Sequence, residues 1–479
     1  MKKIKKYFVL VLVFFAISIN CLHSITAKVD KRVELMSIVA RISGFEEYVN
    51  NSLKEYVHDI DSFFEPYANM PLILFTKEIR ETHRIAYGDV TSFALSLEVA
   101  NGEIRFISEK EKFERLEQGD YHWNVEISKK YLKLLNEFYK KTNFELFYER
   151  HAGLYKITED RYNSSISNSL DLDWFQDIFD RNDMSFNIVL GLCNGTHCYG
   201  GIALLNENEY GRFATVGISM VDSEYIPHFP SAYKRREVST VIHEFSHSFC
   251  HEPIQKYESL MREPFEQIVP FLDKLINPVY GDSHRTVMGE NLVRLTTVLY
   301  FKSHKEFESD MNFILYHEES QGFIWMTKLL FFYNNFLNNR ETYPNFQSFI
   351  PEYVLFMGDI AKNIKSELSD FQNRYPQIVF VFPINGSVVE SDIKEIRVLF
   401  NKPMHNAMGV RAIKNDNIVS VFKHRNKEQE AYWSEDSLEY IIPVDLKPNT
   451  NYGTVLTTFF HAKSNFPLKE DCEWSFSTK

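Results

Sequence analysis

His243-Glu244-Phe245-Ser246-His247 constrains this chain more than any other stretch. In an α-helix each residue turns about 100°, so two side chains four residues apart stand nearly one above the other. Their neutral imidazoles can then reach one ion, each at roughly 2.0–2.1 Å for zinc. Glu244, beside the first histidine, has a carboxylate placed to take a proton from a water that the ion has made acidic. The H-E-x-x-H pattern therefore points to metal-assisted hydrolysis.

The flanks have helical phase. Val238, Val241, Ile242, Phe245 and Phe249 fall on one stripe of the wheel, and His243 and His247 fall opposite. Phe229-Pro230-Ser231 marks the expected helix start, with Ser231 as capping residue. A catalytic zinc needs a third protein ligand and an open fourth position. His251 lies eight residues after His243, about 12 Å along a continuous helix, and no glycine bends the chain before it. It is expected to be a cation near the helix C-terminus, not a ligand. Glu290 is the better candidate: Leu292, Leu295 and Leu299 form an apolar stripe, with Glu290 and Arg294 on the other face. Glu252, Glu258, Glu263, Glu266, Glu318 and Glu319 compete for the role. Arg294 could orient Glu290 or bind a substrate carboxylate. Tyr280, His284 and Tyr300 are candidates for stabilising an oxyanion, and the sequence does not choose among them.

The first residues have the form of a secretory signal. Lys2, Lys3, Lys5 and Lys6 precede the apolar run Tyr7 to Ile19, which is too short to span a bilayer, and Ile25-Thr26-Ala27 offers a cleavage site. Lipid anchoring at Cys21 is the less favoured alternative, since Asn20 stands where a small residue is usual. No later apolar run is long enough for a membrane helix. The formal net charge of −12 becomes more negative once the leader's lysines are removed. This argues against binding nucleic acid or an anionic membrane. An exported protein can carry disulfides, and Cys193 and Cys198 could bridge across a hairpin turn; Cys250 is expected near the histidines without being a ligand.

The segments Val33 to Asn50, 51–67 and 127–143 have helical periodicity. Phe186 to Leu192 predicts a strand, Tyr199 to Leu205 its return, and Phe213 to Ile218 a third. An edge of that small sheet could pair with an extended peptide, and Gly200 and Gly201 would allow close backbone approach. Residues 253–370 are expected to be mostly helical, with the aromatic run Phe323 to Phe336 in the core. After Tyr375-Pro376, short alternating runs with regular turn signals predict a β-sandwich. The expected organisation is a signal peptide at 1–27, a peptidase domain at 28–375 and a β-sandwich at 376–479. The fold class is α+β, with the small sheet preceding the motif helix.

Two resemblances add to this. Phe382-Pro383-Ile384-Asn385-Gly386, Ile396 to Met404, Leu446 to Tyr452 and the closing Trp474-Ser475-Phe476-Ser477-Thr478 resemble bacterial Ig-like domains of the surface-layer type, which implies a spacer or attachment module without chemistry. The preceding region is similar to a largely uncharacterised family of secreted bacterial proteins predicted to be metallopeptidases. That likeness is carried by Val33 to Gly44, by His243-Glu244-Phe245-Ser246-His247-Ser248-Phe249 and by Glu290-Asn291-Leu292-Val293-Arg294. It implies a gluzincin-type site, with Zn2+ on His243, His247 and Glu290 and with Glu244 as base. After Phe249 the sequence His251-Glu252-Pro253 departs from the family's usual Asn-Pro. The expected function is a secreted, periplasmic or cell-surface zinc peptidase acting on a peptide or protein, with cell-envelope association through the Ig-like domain. The alternatives are a catalytically silent scaffold that binds an extracellular protein or glycan, and a structural envelope protein.

Overall fold

The computed structural model describes residues 25–117, 122–272, 275–276, 283–405, 409–415, 417–424 and 429–479. The expected leader therefore lies outside the described residues except for Ile25, Thr26 and Ala27. Ala27 is buried, with its N–H donating to Asn163 Oδ1 (2.7 Å) and its carbonyl accepting from Asn163 Nδ2 (3.0 Å). The fold is mixed α and β. It forms two compact units, one from residues up to 170 with 186–199 and 203–238, the other from 171–185, 200–202 and 239–479.

In the first unit, the apolar spacing after Val33 produces the helix Lys31–Ile42, capped by Asp30, whose side chain accepts from the Arg32 N–H. The two further expected helices appear as Lys54–Phe64 and Val125–Lys141. Glu34 occupies a core position of the first helix and is fully buried. Its carboxylate accepts from the Leu192 N–H (2.6 Å), the Cys193 N–H (3.2 Å) and the Tyr56 hydroxyl (2.7 Å). Burial nonetheless pushes its carboxyl up to about 7.

A four-stranded sheet runs in the order Lys28–Val29, Ser185–Gly191, Glu209–Gly217, Tyr199–Asn206. The first pair is parallel, with Lys28 opposite Val189. Tyr199–Asn206 was expected to return alongside Ser185–Gly191. Instead Glu209–Gly217 lies between them, because Glu207-Asn208 closes a tight turn and pairs the two later strands with each other. Tyr199–Asn206 is left at the edge. The bridge between Cys193 and Cys198 does not form: neither is in a disulfide, and Cys193 is buried.

The second unit is helical as far as Gln372, with helices Lys234–Ile268, His284–Ser303, Met311–Ser320, Met326–Asn338 and Ile350–Gln372. Phe323, Trp325, Tyr333 and Phe336 are buried, as the aromatic run predicted, although Phe331 is exposed. The first of these helices continues through Pro253 and Pro264, so His251 is not at a helix end. An interior proline costs about 3 kcal/mol, but Met261, Phe265 and Ile268 beyond it are fully buried, which offsets that loss. No helix among the described residues is long and apolar enough to cross a membrane.

From Ile378 onward the chain forms two sheets. One is ordered Tyr432–Trp433, Glu439–Pro443, Glu395–Phe400, Ile378–Phe382; the other is built on Asn451–Leu456 and Cys472–Thr478. Alternate residues Ile396, Val398 and Phe400 point into a core shared with Tyr440, Ile442, Tyr452, Leu456 and Trp474. This two-sheet module is fixed to the helices by Phe466, whose ring meets Tyr316 at 4.9 Å, Tyr375 at 5.2 Å and Phe371 at 5.7 Å. Beside it Arg374 pairs with the buried Glu319 at 2.6 Å.

Candidate metal centre

The helix Lys234–Ile268 follows directly on a 3-10 turn at Ser231–Tyr233, where the sequence placed the start, although no side chain caps that turn. Val238, Val241, Ile242, Phe245 and Phe249 are buried as the stripe requires. Phe249 stacks on Phe175 with ring centres 4.7 Å apart and planes 9° from parallel, which fixes the rotation of the helix. His243 and His247 then project together, ring centres 5.0 Å apart.

Glu290 arrives from the helix His284–Ser303, whose cap Ser283 accepts from the Thr286 N–H. Leu292, Leu295 and Leu299 are fully buried. Thr296 on this helix meets Cys250 of the motif helix, Oγ1 to Sγ 3.5 Å, and burial pushes that thiol up to about 12, so Cys250 is a packing contact.

The three side chains converge. His243 Nε2 lies 3.6 Å from Glu290 Oε2, and His247 Nε2 lies 3.6 Å from Glu290 Oε1. Among the described residues this is the one group of His, Cys, Asp or Glu side chains with metal-holding geometry. The separations are too long for hydrogen bonds. They are close to the roughly 3.3 Å expected between two ligands that share a tetrahedral zinc at about 2.0–2.1 Å. Glu290 Oε2 is buried and makes no hydrogen bond among the described residues, with Arg294 Nε standing off at 3.5 Å, a costly state for a carboxylate oxygen that a closer cation would relieve. Two nitrogens and one oxygen suit zinc.

Burial holds His243 well below the ordinary histidine range, with His247, Arg294 and His317 adding to the effect; His247 is lowered too, again chiefly by burial. Both rings are therefore neutral and able to bind a cation at physiological pH. Burial, then the neighbouring Glu290, pushes the Glu244 carboxyl up to about 8. A divalent ion at the histidines would counter that shift by favouring the charged form. His247 keeps 35% of its side chain exposed, so the centre is open on its side.

The competing acids have other partners. Glu252 pairs with Arg181 at 2.6 Å, Glu258 with Arg262 at 3.0 Å, and Glu266 with His284 at 3.8 Å. Glu263 accepts from Gln267 at 3.3 Å, and Glu319 is held by Arg374. Glu318 takes Arg294 Nη1 at 2.5 Å. Of the oxyanion candidates, Tyr280 lies outside the described residues and His284 faces Glu266. The Tyr300 hydroxyl accepts from the Asp171 N–H (2.9 Å), which gives it a structural task. His251 is exposed and away from the cluster. Two residues were named in the sequence reading, but not in the roles the structure gives them. Glu318 was weighed only as a competing ligand, and nothing in its Glu318-Glu319 pair marks it as the partner of Arg294. For Gly200, close approach was expected but its partner was not: a Cβ there would lie 1.9 Å from the Glu244 carbonyl oxygen.

Residues 25–356 match the family described as Domain of unknown function (DUF4932). The chain belongs to that family. The match spans both histidines, Glu244 and Glu290, and it ends before the two-sheet module. No curated protein matches the chain. Two solved structures of surface-layer proteins align at 13% identity. The S-layer protein rSbsC(31-844) does so over 48% of this chain with a TM-score of 0.17, and surface layer protein SbsC, domains 1–6, over 50% with 0.18. In each case the chain spans 33% of the other protein, and alignments with such TM-scores do not define a shared fold.

Proposed function

We propose that this chain is an exported zinc peptidase of the gluzincin type. The observation that carries this reading is the convergence of His243, His247 and Glu290 around a buried carboxylate oxygen that makes no hydrogen bond. Those three residues would hold the ion, which when bound supplies Lewis acidity toward a carbonyl and toward water. Glu244 accepts a proton from the attacking water on its carboxylate and returns it to the departing amine nitrogen. Its burial keeps bulk water from competing for that proton. Gly200–Ile202 lies at the sheet edge, with Gly200 against the Glu244 main chain, and offers backbone groups to an extended peptide. Arg294 Nε stands 3.5 Å from Glu290 Oε2 without a hydrogen bond between them. Residues 376–479, two sheets around one core, support the Ig-like reading and a role in attachment at the cell envelope.

Metal analysis of purified protein, paired with digestion of a peptide library by wild type and by Glu244→Gln, tests the reading. One zinc per chain is expected in both proteins, with cleavage by wild type alone. A protein without stoichiometric zinc that still binds an extracellular protein or glycan would instead be the silent scaffold.

A further inference from the structure

The proposed ligand Glu290 shares a guanidinium with a buried acid, Glu318. Arg294 lies 2.5 Å from Glu318 through Nη1 and 3.5 Å from Glu290 Oε2 through Nε. Arg294 and Glu318 are buried, Glu290 is half-buried, and the guanidinium carbon lies 4.8 Å over the Phe323 ring, which fixes its plane. In such surroundings a cation and a carboxylate attract strongly. Without a rival, Arg294 would close on Glu290 and take the oxygens that a metal needs.

The geometry points to Glu318 as a positioning residue that draws Arg294 away from Glu290 and so leaves that carboxylate free for a divalent cation. This rests on the metal-site reading above and extends it. Two carboxylates, Glu290 and Glu318, face the one guanidinium of Arg294, and the shorter contact is to Glu318. Glu318 needs no contact with the ion, because it acts through the guanidinium.

Zinc affinity of the full-length, chelator-stripped protein, measured by competition with a chromophoric chelator, tests this without reference to activity. Glu318→Gln should weaken zinc binding by about tenfold or more. Glu318→Asp, which keeps the charge, should stay closer to wild type and guards against misfolding of the Gln variant. The double variant Glu318→Gln/Arg294→Gln should recover affinity relative to Glu318→Gln, since the competing cation is gone. A purely structural role for Glu318 predicts no such recovery. The inference is overturned by an unchanged affinity in Glu318→Gln, by an Asp variant as weak as Gln, or by a double variant no better than the single. A wild type that binds no zinc would overturn the metal-site reading together with it, and so is distinguishable from those results.

Discussion

Gly200 and Glu244 meet main chain to main chain: a Cβ at position 200 would stand 1.9 Å from the Glu244 carbonyl oxygen and 2.9 Å from its Cα. No rotamer change relieves that overlap, because backbone atoms form it. Gly200→Ala should therefore destabilise the fold at or above the upper end of the roughly 1–3 kcal/mol range for overpacking. Hydrolysis should fall further than stability does, since the displaced atoms carry the proposed base. Thermal unfolding and peptidase rate, measured on the same preparation, check this, whereas Gly201→Ala, which meets nothing within 4 Å, should be far milder.

Metal removal should lower stability by mass action. A ligand that binds only the folded state adds about 4 kcal/mol at a thousand times its Kd. Calorimetry should show a lower melting temperature after chelation, restored by zinc. Glu290→Gln should blunt that response. An equal zinc response in wild type and variant would exclude Glu290 as a ligand.

Glu34 predicts a pH effect distant in sequence from the motif. Its folded pKa, about 7, lies above the ordinary 4.5, so the folded state binds the proton more tightly. Its contribution is then unpenalised below about pH 4.5, declines as pH rises and reaches its full cost above about 7. The loss is of order 3 kcal/mol at 1.36 kcal/mol per unit. Urea unfolding at pH 5 and pH 8 measures the slope, and Glu34→Gln should flatten it.

Asn291 sits next to Glu290 and is fully buried. It donates to the Tyr353 hydroxyl at 2.6 Å and accepts from Trp325 Nε1 at 2.9 Å. Asn291→Ala leaves both partners unpaired, at about 1–3 kcal/mol each. Denaturant titration should show a loss of that size with zinc stoichiometry retained.

Local periodicity made much of this legible. The buried stripe from Val238 to Phe249 and the polar face bearing His243 and His247 follow from helix geometry alone, and Glu290 was found by the same phase argument. Long-range pairing was not legible. The order of the strands depends on which partner Tyr199–Asn206 selects, and alternation cannot encode that choice. Passage of the helix through Pro253 depends on burial of Phe265 and Ile268 by distant segments. Glu318 was hidden for the same reason, since its role exists only where Arg294 meets it.

The residues between the helices and the two-sheet module bear on where this chain can be cut. A fragment trimmed to the family match would stop at 356, inside the helix Ile350–Gln372, and would discard both Arg374 and Phe466. Glu319 would then remain inside without its arginine, held by the Thr327 N–H alone among the described residues, one residue from the acid that pairs with Arg294. Expression of the whole polypeptide, not of the segment that sequence profiles delimit, is the sound starting point for biochemistry on this molecule.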